Sequence, residues 1–302
     1  MARDTTPLLP RPLNGPLPFP VPHRVQDHAP HLRACHSPWN WMPQRRLVNL
    51  RGLALAFLTS TGVGAYWFKF TEFRDHSIWF LAFHFGTIAY VLAVVFHLIV
   101  FGWAFTHLYY PDGERFTKGV ESLAVRAFSL PSNLGSPRKQ FWFHFFYTTT
   151  TVFAFMSAAL YWLVTRPHNP QATMVGGPIT DLLGEGWFKS FAMFTLYTTP
   201  AITMLIETIF FNSIKTPQSL GSHVLGLVSM SGLYLPWAAL GGHLTGCYPF
   251  FWLNPDFVGS KEAVALYCLG FLGLAPLNLV FLLKQVVIAL RERMTRSPPT
   301  SV

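Results

Sequence analysis

An all-α, polytopic transmembrane bundle of six helices is the fold class this sequence predicts, and three features predict it. Hydrophobic residues make up 51% of the chain and charged residues only 12%, about half the charged share of a soluble domain. Six apolar runs are nearly free of charge, each close to the ~20 residues a helix needs to cross roughly 30 Å of hydrocarbon. In that medium the backbone must satisfy its own hydrogen bonds, so such runs become helices. The 22 Lys and Arg residues divide 17 to 5 between alternate ends of these runs. By the positive-inside rule this places both termini in the cytoplasm.

Residues 1–48 read as a disordered, Pro-rich cytoplasmic tail. Prolines at Pro7, Pro10, Pro12, Pro16, Pro18, Pro20 and Pro22 each remove a donor and turn the preceding residue away from helix. The tail lacks the apolar core of a cleavable signal, so the first span is expected to act as the insertion signal. Trp39 and Trp41 read as an interfacial anchor just before the bilayer. The six-helix transmembrane domain, 49–292, then carries spans at about 53–70, 78–105, 141–164, 187–211, 224–240 and 263–290. The longest loop, 106–140, includes an amphipathic stretch around 121–130 suited to a membrane surface. A short cytoplasmic tail, 293–302, ends the chain.

The net charge of +9 lies beside the apolar runs rather than in a basic patch interleaved with exposed aromatics, which argues against a nucleic-acid partner. Three cysteines without a CxxC provide neither a disulfide framework nor a zinc site. No metal and no cofactor is expected. The expected partner is a membrane lipid or a hydrophobic small molecule.

Polar groups within the runs are the candidates for function. Glu207 is the acidic residue set well inside a span, with no basic residue expected beside it, and a lone carboxylate there costs several kcal/mol. His223, entering span five, is expected at a similar depth, and the two read as a structural link between helices or a proton-handling pair. His84 and His97 in span two stand 13 residues apart, a spacing close to that of membrane cytochromes with two haems. Span three supplies only His144, so haem is the third-ranked reading. Hydroxyl clusters (Thr59 to Thr61, Thr148 to Thr151, Thr198 with Thr199) mostly satisfy helix carbonyls or pack at helix crossings.

One combination is sharper. His84 lies about six residues into span two, roughly 9 Å at 1.5 Å per residue. Tyr197 and Thr198 lie about ten residues into span four, and His243 sits at the outer end of span five. These four are expected to line one cavity toward the non-cytoplasmic face. A hydroxyl beside an imidazole is the minimum for nucleophilic attack on an ester.

Over about residues 50–290 the chain resembles the androgen-induced and androgen-dependent multi-pass membrane proteins. The resemblance rests on Trp79-Phe80-Leu81-Ala82-Phe83, like that family's FLTF, and on Trp187 … Tyr197-Thr198-Thr199 … Glu207, like its W…HTT…E. It rests also on Trp237 … His243-Leu244-Thr245-Gly246 … Tyr248-Pro249-Phe250, like its W…HHxTG…YPF. The resemblance implies a six-span fold, an endoplasmic-reticulum location and a threonine-dependent hydrolase of fatty-acid esters of hydroxy fatty acids. It also implies supporting roles for Glu207, His243 and Thr245. The chain departs from it where the chemistry sits, with Ala82 at the nucleophile's position and Tyr197 at the histidine's. Ala82 has no nucleophilic atom, and a phenol with a pKa near 10 is a poor base. Two readings follow from the resemblance: a divergent lipid hydrolase using His84 or His243 as base with Thr198 or Thr87 as hydroxyl, or a non-catalytic relative that binds lipid or scaffolds other proteins.

Overall fold

The computed structural model describes residues 29–72, 79–110, 119–131, 134–168, 187–216, 219–274 and 279–295. It is all-helical, with no strand among the described residues. In chain order the helices are α1 (Pro30–Ala34), α2 (Gln44–Glu72), α3 (Phe80–Phe83), α4 (Phe85–Tyr109) and α5 (Val120–Phe128). Then follow α6 (Pro137–Ala159), which runs on as a π-helix over Leu160–Thr165, and α7 (Trp187–Tyr197). Next comes α8 (Thr199–Ile206), which runs on as a second π-helix over Glu207–Phe211. The chain continues with α9 (Leu220–Thr245), α10 (Pro255–Val258), α11 (Lys261–Leu274) and α12 (Leu279–Thr295).

Four helices are long and apolar enough to cross a bilayer: Gln44–Thr71, Phe85–Tyr109, Pro137–Thr165 and Leu220–Thr245. Among the described residues, α7 and α8 with its π-turn pass the same test only when taken together, bent by 46°, as one broken span or a re-entrant loop. The bend has a local cause: Pro200 has no N–H to give the carbonyl of Leu196. The sixth expected span, 263–290, is divided between α11 and α12, each too short to cross alone, and residues 275–278 lie outside the described residues. The architecture is compatible with a multi-pass membrane protein.

The expected loose tail is corrected over residues 29–48. Residues 1–28 lie outside the described residues, but 29–48 are folded onto the bundle. Trp39 Nε1 donates to Ile209 O at 2.9 Å, Ser37 Oγ to Phe210 O at 2.7 Å, and the Ser213 N–H to Arg33 O at 3.0 Å. The carbonyls of Ile209 and Phe210 are open because the helix ends at Phe211, which leaves its last turn without helical donors. A local sequence pattern cannot anticipate partners 170 residues away.

Helix α4 is the axis, packed between α2 and α6. Two of the apolar cores mark its ends. One gathers Phe85, Phe153, Tyr234, Phe250, Trp252 and Phe271 near its start. The other gathers Phe96, Val100, Trp103, Phe143, Tyr147 and Met204 toward its finish, and α1 and the chain after it close that core with Ala34 and Cys35. We call these the His84 end and the Arg51 end.

Candidate functional site

Helical regularity fails on three neighbouring spans at the His84 end. His84 itself is extended (φ −78°, ψ 126°) and separates α3 from α4. The π-helix Leu160–Thr165 widens α6, and the bend at Thr198 breaks span four. Each break frees backbone carbonyls, which in lipid need donors. Tyr234 Oη donates to Phe83 O and Trp237 Nε1 to Ala82 O, both at 3.1 Å. The donors are neutral aromatic groups of α9. Non-α turns of this kind recur at functional sites.

Among these breaks, His84 Nε2 meets Tyr197 Oη at 3.3 Å. The Tyr197 ring stacks on Tyr161 with centroids 3.9 Å apart and planes 4° from parallel. Gly86 makes room for it, since a Cβ there would lie 2.6 Å from Tyr197 Cε1. A cavity beside the pair, touching Ser157, Leu160 and Phe250, holds about 10 Å³. That is space for a single water at most.

The structure brings together two of the four residues expected to share a cavity. Thr198 Oγ1 turns instead to accept from Trp162 Nε1 at 2.7 Å. His243 is exposed on α9 and does not line the cavity. Thr245 is partly buried, and its hydroxyl donates to Gly241 O at 2.7 Å. The expected shared cavity is corrected in this respect: the bend at Thr198 re-aims that residue, and the face of α9 that meets α3 is carried by Tyr234 and Trp237.

Next to this contact, a groove of about 620 Å³ lies between α2 and α4. Leu58, Gly62, Val63, Tyr66, Tyr90 and Val91 form much of its wall, with Leu81 of α3 at one side. Two of its hydroxyls are held by carbonyls: Tyr90 Oη donates to Leu58 O at 2.7 Å, and Thr59 Oγ1 to Leu55 O of its own helix at 2.8 Å. Tyr90 reaches across because residue 62 is glycine; a Cβ there would stand 2.7 Å from its ring. Tyr90, Leu58 and Tyr197 belong to one buried cluster, so the groove and the His84–Tyr197 contact share a wall.

The Arg51 end is charged. Arg51 Nη2 donates to Glu207 Oε1 at 2.6 Å, to Ala34 O at 2.5 Å and to Phe211 O at 2.9 Å, and both side chains of the ion pair are fully buried. Glu207 therefore has the basic partner that the sequence did not predict, because Arg51, just ahead of the first apolar run, read as one of the flanking charges that set topology. Arg291 Nη1 donates to Thr208 O at 2.6 Å and to Asn212 O at 2.8 Å, while Nη2 donates to Ile214 O at 2.6 Å. His223 does not pair with Glu207 but with His144, at 3.1 Å. His97 is buried, with Nδ1 2.8 Å from Ala93 O of its own helix. Among the described residues no group of three metal-ligating side chains occurs.

Just outside the spans, burial and the nearby Lys139 lower the pKa of His31 to about 4. Burial raises that of Cys35 to about 12, so its thiol is protonated and inert. The three cysteines are free.

Comparison with protein-family models, curated proteins and solved structures gave no match.

Proposed function

We propose that this chain is a six-span membrane protein with cytoplasmic termini that binds a lipid acyl chain in the groove between α2 and α4. The groove carries this reading. At about 620 Å³ it has the volume of a ligand site, its wall exposes almost no polar atom, and it opens along helices fit to lie in a bilayer. The only solvent such a wall suits is hydrocarbon. The resemblance to lipid-ester hydrolases supports the same ligand class and an endoplasmic-reticulum membrane.

Binding without turnover is the form we favour. Ala82 offers only its backbone carbonyl, already held by Trp237. The space at His84 and Tyr197 admits no ester group. Mass spectrometry of lipids retained by the purified chain tests this. Val91→Trp, which fills the groove from an exposed position, is expected to reduce retained lipid at least fivefold. Retention equal to wild type overturns the reading.

One observation favours hydrolysis as the second reading: the imidazole-to-phenol contact at 3.3 Å. Incubation with fatty-acid esters of hydroxy fatty acids separates the two. Binding alone gives background release from wild type, whereas hydrolysis gives release that Tyr197→Phe and His84→Asn abolish.

A further inference from the structure

Four polar side chains form a continuous chain away from the groove, linking α12, α6 and α9. Lys284 Nζ donates to Thr148 Oγ1 at 2.9 Å and lies 3.9 Å above the Tyr147 ring. Thr148 Oγ1 is 3.4 Å from His144 Nδ1, which is 3.1 Å from His223 Nε2. The two remaining ring nitrogens face carbonyls: His144 Nε2 is 2.9 Å from Lys215 O, and His223 Nδ1 is 2.9 Å from Ser219 O. All four side chains are buried.

Donor counting fixes the protonation of this pair. A carbonyl only accepts, so His144 Nε2 and His223 Nδ1 must each carry a hydrogen. The contact between the rings needs one more, on either Nδ1 of His144 or Nε2 of His223. Three N–H groups on two imidazoles is one more than two neutral rings possess. With only two, a pair of lone pairs would face each other at 3.1 Å, or one carbonyl would lose its donor.

We propose that His144 and His223 form a proton-binding site that holds one proton shared between their rings, with Lys284 as its exchange partner through Thr148. In the exchange, Lys284 Nζ passes a proton to Thr148 Oγ1 while the Thr148 hydroxyl proton moves to His144 Nδ1. The ammonium becomes a neutral amine and the pair becomes cationic. The geometry is that of the pair-protonated state.

The surroundings agree. Phe141 and Phe145 pack around the His223 ring, with centroids at 5.2 and 6.1 Å, and an aromatic shell favours a cation. The other charges in reach are Arg291 on the helix of Lys284, and the Arg51–Glu207 pair beyond Tyr147. With Arg291 already there, a second buried charge is tolerated on the pair or on Lys284, not on both. Loss of the shared proton breaks one of the three contacts: the one between the rings, that of His223 with Ser219 O, or that of His144 with Lys215 O.

Nitrogen NMR of the full chain in lipid nanodiscs, with ring-labelled histidine at neutral pH, tests the proposal. The expected result is three protonated ring nitrogens in the pair, with coupling across the Nδ1–Nε2 contact marking it without any variant. His144→Gln and His223→Gln confirm the assignment by removing those signals. Lys284→Met, which deletes the alternative seat, is expected to leave all three protons in place. Two protonated nitrogens in wild type, or no cross-ring coupling, overturns the shared proton. A fall to two in Lys284→Met overturns the exchange partner.

Discussion

The two ends of the bundle meet the same difficulty in opposite ways. Each contains a π-turn or a break that frees backbone carbonyls in a place without water. At the Arg51 end the donors are guanidinium groups, with Arg51 and Arg291 taking carbonyls from α1, α8 and the turn after it. At the His84 end the donors are a phenol and an indole. A buried guanidinium with its carboxylate is costly to break and hard to rearrange. Neutral aromatic donors hold the broken helix without burying an ion pair. The Arg51 end therefore reads as the lock, and the His84 end, beside the groove, as the proposed place where the molecule meets a ligand.

The sharpest way to break this contrast is to unpair the lock. Arg51→Met strands the Glu207 carboxylate in the interior and is expected to cost about 3–5 kcal/mol, seen as a large fall in the melting temperature of the purified chain. The double variant Arg51→Met/Glu207→Met is expected to recover part of the loss. Arg291→Met, which leaves the carbonyls of Thr208, Asn212 and Ile214 without this donor, is expected to cost about 2–3 kcal/mol. The corresponding change at the other end, Trp237→Phe, frees only Ala82 O and is expected to cost about 1–2 kcal/mol. If Trp237→Phe proves as damaging as Arg51→Met, the division into lock and binding end fails.

The remaining effect is a pH dependence. Unfolded His31 takes a proton near the ordinary value of 6.5, while folded His31 stays neutral down to about 4. Between those values the unfolded state binds more protons, so stability is full above pH 6.5 and declines as pH falls toward 4. His31→Phe keeps the ring between Trp103 and Phe143 and is expected to flatten that part of the stability curve. An unchanged slope in the variant assigns the effect elsewhere.

Much of the fold was legible because apolar runs of bilayer length have few alternatives to helix. What escaped was long-range. Arg51 and Glu207 stand 156 residues apart, and a basic residue at the start of an apolar run reads the same whether it faces water or is buried. The depth of His84 and of Tyr197 was readable by counting residues, and the structure joins them. Position along a helix, which counting gives for Thr198 and His243, does not fix direction: the bend before Pro200 turns one, and α9 presents the other outward. The His144–His223 pair was missed although a signal existed. Both lie within about two turns of helix starts that the charge pattern puts on the same face of the membrane.

The central claim is that a lipid chain occupies the space between α2 and α4, and photolabelling tests it most directly. A fatty acid carrying a photoreactive group in its chain, crosslinked to the full protein in vesicles and mapped by mass spectrometry, is expected to mark Val63, Val91 and their neighbours in the groove. Val91→Trp is expected to remove that labelling. Labels spread evenly over the exposed faces of all the spans, unchanged by Val91→Trp, would contradict the account.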